Sequence, residues 1–185
     1  AIIFSAPSGA GKTTIVHSLL DRIPNLRFSI SATTRAKRPT EIHGRDYYFL
    51  SLDEFKSKKA AGELLEWEEV YADIFYGTLK SEIDRIWNDY NHVIFDVDVK
   101  GGIRLKELLG DQALSIFIKV KNEDVLRERL EMRQTEDQES IEKRVQKSAQ
   151  EMKEEAHFDE VILNEHLDKA ISEAENLVKN FINQS

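Results

Sequence analysis

The clearest chemistry in the chain comes from a loop of small residues near its start. The loop reads Ala6-Pro7-Ser8-Gly9-Ala10-Gly11-Lys12-Thr13-Thr14 and follows an apolar run. A strand, a glycine-rich loop and a helix N-terminus together point successive backbone N–H groups at an anion. Lys12 can then reach the outer phosphates, and the Thr13 hydroxyl can bind Mg²⁺. We favour this phosphate-binding loop over an ordinary turn, although Ala6 replaces the first glycine of G-x-x-x-x-G-K-[ST] and needs a negative φ there.

Two carboxylates, Asp96 and Asp98, close a second apolar run that begins at Val93. Residues two apart on a strand share one face, and parallel sheets bind their ligands at the C-terminal edge of the strands. One carboxylate could accept from a magnesium-bound water and the other from a substrate. Solvated acids at a strand end are the alternative, but beside a phosphate loop we favour the functional interpretation.

A basic loop followed by tyrosines is the third candidate. Guanidinium forks match phosphate oxygens two at a time, and tyrosine hydroxyls donate hydrogen bonds without adding charge. The pattern suggests a clamp for a second phosphate group, and a solvated basic loop stays equally open. Its residues are Arg35, Arg38, Arg45, Tyr47 and Tyr76.

Glu66 lies among the apolar residues Leu64, Leu65 and Trp67. A carboxylate in such surroundings is costly unless it is paired. Guanine offers adjacent N1–H and N2–H donors to one carboxylate, whereas adenine would leave a buried acceptor unpaired. Glu66 could therefore read guanine, although a residue like this, taken by itself, is more often just a strand acid.

A run of arginines accompanies a polar segment near residues 134–153, in which Ile141, Val145 and Met152 are the only large apolar residues. We expect an arm that ligands order rather than a fixed helix, because little apolar surface is available for burial. Folded over a phosphoryl group, the arginines could neutralise transition-state charge. Salt bridges to nearby glutamates are the alternative, which we prefer for Arg127. The run is Arg127, Arg129, Arg133 and Arg144.

Composition limits the function further. The chain has 185 residues, a formal net charge of −8 and no cysteine. Disulfides and thiolate metal sites are thereby excluded, and the negative charge argues against nucleic acid or an acidic membrane as the main partner. No apolar run approaches the roughly 20 residues that cross a bilayer. We expect a cytoplasmic enzyme.

The elements that must position these residues alternate between strands and helices, which predicts a parallel sheet with helices on both faces. Residues 32–78 are polar with several short strands and look like an insertion. Strands are expected near 1–5, 26–31, 46–50, 64–71, 75–78, 93–98, 114–120 and 159–164, and helices near 12–21, 51–62, 80–90, 103–109, 123–132 and 167–182.

Taken together, these motifs resemble the guanylate kinase family, the GMP kinases among the P-loop nucleoside monophosphate kinases, nearly from end to end. The resemblance rests on the stretches Ser5–Thr14, Ser29–Arg38, Gly44–Phe49, Glu66-Trp67, Tyr76–Thr78, Asp96–Gly102 and Arg129 to Arg144. It implies a central parallel sheet flanked by helices, an inserted mixed α/β segment for the nucleoside monophosphate, and a helical lid. It divides one domain into a core (1–31, 79–121 and 157–185), a GMP-binding segment (32–78) and a lid (122–156).

The same resemblance implies Mg²⁺-dependent transfer of the ATP γ-phosphate to GMP. It assigns ATP to the loop from Ala6 to Thr14 and to Asn164, and Mg²⁺ to Thr13 with Asp96 acting through water. It assigns catalytic roles to Lys12, Arg35, Arg133 and Arg144. The residues that match GMP contacts are Ser31, Arg35, Arg38, Tyr47, Glu66, Tyr76, Thr78 and Asp98. Tolerance of dGMP and the oligomeric state are left open.

Two departures from the family pattern are Ala6 and Glu165, which stands where the family often has Asp. Neither removes a group that holds phosphate or metal, so we expect activity to survive both. One rival is a non-catalytic guanylate-kinase-like module that binds proteins, and the retained Lys12 and lid arginines argue against it. The other is a P-loop kinase for AMP or a sugar, against which Glu66, Ser31 and Thr78 argue.

Overall fold

The computed structural model describes residues 1–131 and 138–184, so the predicted lid residue Arg133 lies outside the described residues. The chain forms two compact units, Ala1–Leu26 with Ile94–Ser185, and Arg27–Val93. The strands are β1 (Ile2–Ser5), β2 (Leu26–Phe28), β3 (Ala32–Thr33), β4 (Tyr48–Phe49), β5 (Leu64–Tyr71), β6 (Ile74–Leu79), β7 (His92–Val97), β8 (Leu114–Lys119) and β9 (Glu160–Leu163). The helices are α1 (Lys12–Arg22), α2 (Leu52–Ala60), α3 (Lys80–Asn88), α4 (Val99–Leu109), α5 (Glu123–Glu131), α6 (Gln138–Glu151) and α7 (Leu167–Gln184).

The first unit is built on parallel strands. β1 lies between β7 and β8, and β9 pairs with the far side of β8, in a five-stranded sheet of order β2-β7-β1-β8-β9. Ile2, Ile3 and Phe4 of β1 are fully buried. Continuous apolar strands of this kind are typical of parallel sheets that helices cover on both faces. The predicted fold class is confirmed.

Helix α4 begins earlier than the sequence suggests. The Gly101-Gly102 pair predicts a helix from Ile103, but the helix starts at Val99 and contains both glycines. Asp98 caps it by accepting a hydrogen bond from the Gly101 N–H at 2.7 Å. A Cβ on Gly102 would lie 2.0 Å from the Ser5 Oγ, so these glycines let α4 approach β1 instead of breaking the helix.

The polar arm is also more regular than expected. The sequence argued against a fixed helix, but α6 covers residues Gln138–Glu151. Val145 and Ser148 of this helix are buried. A few buried side chains on one face therefore suffice, because α6 packs against the neighbouring helix α5. Arg127 of α5 pairs with Glu142 of α6 at 2.8 Å, which is the salt-bridge role preferred for it.

The second unit holds a four-stranded sheet of order β4-β3-β6-β5. Its long hairpin, β5 with β6, matches the two strands expected there, whereas β3 falls in a polar stretch where none was expected. Ser51 is the N-cap of α2 and forms a capping box, in which its hydroxyl accepts a hydrogen bond from the Glu54 N–H. Phe55 of α2 packs in a buried cluster with Phe75 and Leu79.

The finer predicted subdivision into core, GMP-binding segment and lid stays a prediction. Within the described residues, no helix has the length and apolar character that a bilayer crossing demands.

Candidate active site

The phosphate loop of the first unit joins β1 to α1 with the geometry expected of an anion site. Gly9 and Gly11 adopt positive φ angles of 90° and 91°, and Gly11 is the N-cap of α1. Only glycine enters this region readily, and a loop of this kind can present backbone N–H groups to an anion. The non-glycine residues with positive φ in the described chain are Asp73 and Tyr90, so Ala6 keeps the negative φ required of it.

Lys12 and Thr13 meet Asp96 at the end of this loop. The Lys12 ammonium forms an ion pair with one Asp96 oxygen, and the Thr13 hydroxyl donates to the other at 2.7 Å. Burial lowers the pKa of Lys12 to about 8, against the charges of Asp98 and Glu151, which act to raise it. One cation, one hydroxyl and one carboxylate therefore share a site that an anion or a hard metal ion can enter.

Asp98 has a different role from Asp96 in the structure. β7 ends at Val97, and Asp98 is the cap of α4 rather than a second strand-face acid. Its carbonyl accepts a hydrogen bond from the Ser5 hydroxyl at 3.1 Å. The expected contact between Asp98 and GMP stays a prediction.

Asn164 and Arg129 hold the outer side of the phosphate loop. The Asn164 Nδ2 donates to the Ala10 carbonyl at 2.8 Å, and Arg129 donates to the same carbonyl at 3.2 Å and to the Asn164 carbonyl at 2.9 Å. Arg129 thus supports the loop in this structure, and its suggested place over a phosphoryl group stays a prediction. The Asn164 Oδ1 is buried with no hydrogen-bond partner among the described residues.

Helix α6 brings three further side chains to Ser8 of the loop. Arg144 donates to the Ser8 hydroxyl, Ser148 donates to the Ser8 carbonyl at 3.4 Å, and Glu151 accepts from the Ser8 N–H. Burial raises the pKa of the Glu151 carboxyl. Ser148 and Glu151 were not predicted from the sequence, although the spacing of 144, 148 and 151 places all three on one helix face.

In the second unit, Arg35 contacts both tyrosines of the predicted phosphate clamp. Its Nε donates to the Tyr76 hydroxyl at 3.2 Å, and its guanidinium lies 5.4 Å from the centre of the Tyr47 ring. The Tyr47 and Tyr76 rings meet edge to face at 5.9 Å. Burial raises the pKa of Tyr47, which keeps its hydroxyl a neutral donor. The structure therefore brings Arg35, Tyr47 and Tyr76 together as the spacing suggested.

Glu41 completes this cluster and was missed by the sequence analysis. Its two oxygens accept from the Arg35 Nη1 and Nη2 at 3.1 and 2.8 Å, and one also accepts from the Arg38 N–H at 2.8 Å. These bonds lower the pKa of Glu41, with the Arg35 bond as the main cause. A carboxylate presents the same paired oxygens as phosphate. Arg45, by contrast, is exposed and pairs with Asp46.

Glu66 is buried and paired, as its apolar neighbours required. It lies opposite Thr78 in the β5–β6 ladder, and the Thr78 hydroxyl donates to its Oε1 at 2.6 Å. Tyr76 and Thr78 are two apart on β6 and so share one face of the sheet. Thr78, which pairs with the predicted base reader Glu66, therefore lies on the same strand as Tyr76 of the predicted phosphate clamp.

Comparison with known proteins agrees with this arrangement. The family model for guanylate kinase matches residues 1–181. The chain belongs to the guanylate kinase family. A guanylate kinase from Salinibacter ruber is 47% identical over 181 residues, covering 98% of this chain and 96% of that protein. One from Bacteroides fragilis is 48% identical over 181 residues, covering 98% and 89%. A crystal structure of guanylate kinase from Anaplasma phagocytophilum has a TM-score of 0.78 at 27% identity, covering 97% and 84% of the two chains.

Membership in the guanylate kinase family confirms the resemblance drawn from the motifs. The coverage is nearly complete in both directions, so the family applies to the chain as a whole and not to one module of it. The individual roles assigned to site residues, including the exposed Arg38 and the half-buried Ser31, stay predictions.

Proposed function

We propose that this guanylate kinase family member transfers the γ-phosphoryl group of ATP to GMP, giving ADP and GDP. Its setting would be purine nucleotide metabolism and GMP recycling in the cytoplasm. The observation that carries the proposal is the buried pair of Glu66 on β5 and Thr78 on β6, because Thr78 shares β6 with Tyr76 of the predicted phosphate clamp. One face of the second unit can thereby offer a guanine acceptor and a phosphate clamp to the same nucleotide.

The acceptor base is proposed to bind at Glu66. One carboxylate oxygen already accepts from Thr78, which fixes the orientation of the group at 2.6 Å. A carboxylate held in this way can accept both the N1–H and N2–H of guanine. Adenine has no matching donor pair, so it would bury the carboxylate without compensation. Ser31 and Thr78 would complete the contacts to the base.

The acceptor phosphate is proposed to bind at Arg35, Arg38, Tyr47 and Tyr76. Arg35 now holds the Glu41 carboxylate with both terminal nitrogens, a geometry that also suits two phosphate oxygens. We expect the GMP phosphate to take over part of this pairing. Asp98 is proposed as a further contact to GMP.

The donor is proposed to bind at the phosphate loop, with the triphosphate on the backbone N–H groups from Ala6 to Thr14 and the adenine toward Asn164. Lys12, Arg144 and Arg133 would neutralise the transferring group. Arg144 already contacts Ser8 of the loop, which supports its place in this set. Charge neutralisation of this kind is the main source of rate enhancement in phosphoryl transfer.

Mg²⁺ fits the residues at the end of the loop. Thr13 and Asp96 present a hydroxyl and a carboxylate linked at 2.7 Å, and both are hard oxygen donors. The described residues contain no group of three acidic, His or Cys ligands, which suits an ion that one or two protein oxygens hold beside substrate phosphates and water. We propose Thr13 as the ligand, with Asp96 acting through water. When bound, Mg²⁺ neutralises charge on the phosphate oxygens.

The reaction itself needs no general base. An oxygen of the GMP phosphate is anionic at neutral pH, so it can bond to the γ-phosphorus while the bond to the bridging oxygen of ADP breaks. The protein must therefore align the two groups, neutralise their charge and exclude water as a competing acceptor. We assign the alignment to the residues proposed to bind the acceptor phosphate, Arg35, Arg38, Tyr47 and Tyr76. We assign the neutralisation of charge to Lys12, Arg133 and Arg144.

A coupled assay of ADP formation with a panel of acceptors tests the proposal. The panel contains GMP, dGMP, AMP, CMP and UMP, each with ATP and Mg²⁺. We expect turnover with GMP and little or none with AMP. Lys12→Ala is the matched control for contaminating kinase, and it should lower kcat by about 10²–10³ while the protein stays folded. Faster turnover with another acceptor, or near-normal kcat for Lys12→Ala, would refute the corresponding assignment.

A further inference from the structure

A buried carboxylate in the second unit has no part in the proposed chemistry. Glu82 lies in the first turn of α3, and its side chain is only 2% exposed. A carboxylate this deep costs several kcal/mol unless donors surround it. Burial raises its pKa, but hydrogen bonds from Arg85, Ile30 and Tyr48 outweigh burial, so the pKa is lowered overall. Glu82 is therefore a charged group that its surroundings hold in place.

The four donors divide between the two oxygens of Glu82. Oε1 accepts from the Ile30 N–H at 3.3 Å and from the Arg85 Nη2 at 2.7 Å. Oε2 accepts from the Tyr48 hydroxyl at 3.0 Å and from the Arg85 Nε at 3.2 Å. Only a carboxylate can accept on both sides, because a Gln amide would present an NH₂ group to one pair of donors.

Two of these donors adjoin residues of the proposed acceptor site. Ile30 precedes Ser31, and Tyr48 follows Tyr47. Backbone hydrogen bonds join the two segments through the short ladder of β3 with β4, which pairs two residues of each strand. β4 is an edge strand of the four-stranded sheet, and these two residues are its paired positions on β3. Glu82 supports the ladder at the end where the Tyr48 N–H donates to the Ser31 carbonyl at 2.9 Å.

Helix α3 is well placed to couple these segments to the rest of the acceptor residues. It begins directly after β6, the strand that carries Tyr76 and Thr78, and its N-cap is Leu79. Glu82 thus connects the helix that follows β6, the strand of Tyr76 and Thr78, with the two segments that carry Ser31 and Tyr47.

We propose that Glu82 is a positioning residue for the acceptor nucleotide, which sets the spacing between Ser31 and Tyr47 by holding Ile30 and Tyr48. The inference rests on the proposed function, since it needs Ser31 and Tyr47 to contact GMP. It assigns Glu82 an effect on GMP binding that goes beyond stabilising the fold.

The test compares three variants by steady-state kinetics and thermal melting. Glu82→Gln replaces one accepting oxygen by a donor, and Tyr48→Phe removes one tether without changing the ring. Arg85→Gln is the matched control, because it breaks the same ion pair but leaves both tethers, and half of the Arg85 side chain is solvent-exposed. Melting temperatures show how far each change destabilises the fold.

We expect Glu82→Gln and Tyr48→Phe each to raise the KM for GMP about tenfold, the worth of one charge-assisted hydrogen bond, with the KM for ATP unchanged. In the double variant, the KM for GMP should rise by less than the product of the two single increases, because both changes act on the same hydrogen bond between Glu82 and Tyr48. Arg85→Gln should keep the KM for GMP within about twofold, the usual effect of a partly exposed pair.

An unchanged KM for GMP in Glu82→Gln, or an equal rise in the KM for ATP, would overturn the inference and leave a purely structural role. If Glu82→Gln fails to fold, the same criteria apply to Tyr48→Phe. Absence of GMP turnover by the unaltered chain would instead overturn the proposed function, and this inference with it. Kinetics of the unaltered chain therefore come first.

Discussion

At the scale of single residues, Glu66 should decide which base the protein accepts. Glu66→Gln keeps the shape of the side chain but turns an amide NH₂ toward the guanine donors. We expect the KM for GMP to rise about ten- to a hundredfold and the KM for ATP to stay unchanged, because one charge-assisted bond is lost and a donor is left unpaired. Steady-state kinetics with either substrate varied measures both constants.

The control for this change is Glu69→Gln on the same strand. Glu69 is exposed, and its carboxylate accepts a hydrogen bond from the nearby Asp73 N–H at 3.0 Å in the β5–β6 turn, a bond that Gln can keep. The KM for GMP should therefore not change in Glu69→Gln. Equal losses of GMP and ATP affinity in Glu66→Gln would reject Glu66 as the guanine reader.

Lys12 carries a pH dependence that can be measured directly. Burial lowers its pKa to about 8 in the free protein, so most Lys12 side chains are neutral at pH 9. Bound phosphates favour the ammonium form and raise the pKa again. ATP binding should therefore take up about one proton at pH 9 and almost none at pH 7. Isothermal titration calorimetry in two buffers with different ionisation enthalpies gives the number of protons.

Lys12→Arg is the control for this titration, because a guanidinium stays charged at both pH values. Its ATP binding should show no proton uptake at pH 9. Uptake of the same size in Lys12→Arg would assign the proton to another group. Affinity for ATP in the unaltered chain should weaken as the pH rises above about 8, since charging Lys12 then costs free energy.

At the scale of secondary structure, the contact between α4 and β1 depends on Gly102. A Cβ at this position would lie 2.0 Å from the Ser5 Oγ and 3.1 Å from a ring carbon of Phe158. We expect Gly102→Ala to lower the free energy of unfolding by about 1–3 kcal/mol, the usual cost of overpacking. Urea denaturation followed by circular dichroism measures the change.

A second variant tests whether Ser5 is the obstacle. Ser5→Ala removes the hydroxyl that a new methyl group would meet, so Ser5→Ala with Gly102→Ala should lose less stability than the sum of the single changes. If the losses of unfolding free energy in the two single variants simply add, the strain does not arise from the contact with the Ser5 hydroxyl. At Gly62 an added Cβ would have open space, but the backbone φ is 70°. The loss of stability in Gly62→Ala therefore measures backbone strain without overpacking.

At the scale of the whole molecule, binding of both nucleotides should make the protein more compact. Apart from Asp98, the proposed donor and acceptor residues belong to two separate units of the chain. Phosphoryl transfer requires their ligands to be in contact and shielded from water. Small-angle X-ray scattering should therefore give a smaller radius of gyration with GMP and a non-hydrolysable ATP analogue than without ligand. Each nucleotide alone serves as the control, and unchanged dimensions with both would contradict closure.

Much of this molecule follows from local spacing. The phosphate loop, the apolar strands of the parallel sheet and the Ser51–Glu54 capping box each depend on residues within a few positions of one another. Backbone geometry alone makes such short patterns informative. Local sequence was also informative for Glu66. Its apolar neighbours indicated that the carboxylate must be paired, and in the structure the Thr78 hydroxyl donates to it.

The partners of the charged groups, by contrast, could not be predicted from the sequence. Arg35 pairs with Glu41, Glu151 reaches Ser8 from α6, and Glu82 joins Ile30 to Tyr48. Several acids lie within reach of each site along the sequence, so spacing cannot select among them. Packing makes the selection, because it decides which carboxylates lose water and must therefore find a donor. The start of α4 was likewise decided by the approach of Gly102 to Ser5, a contact between residues far apart in the chain.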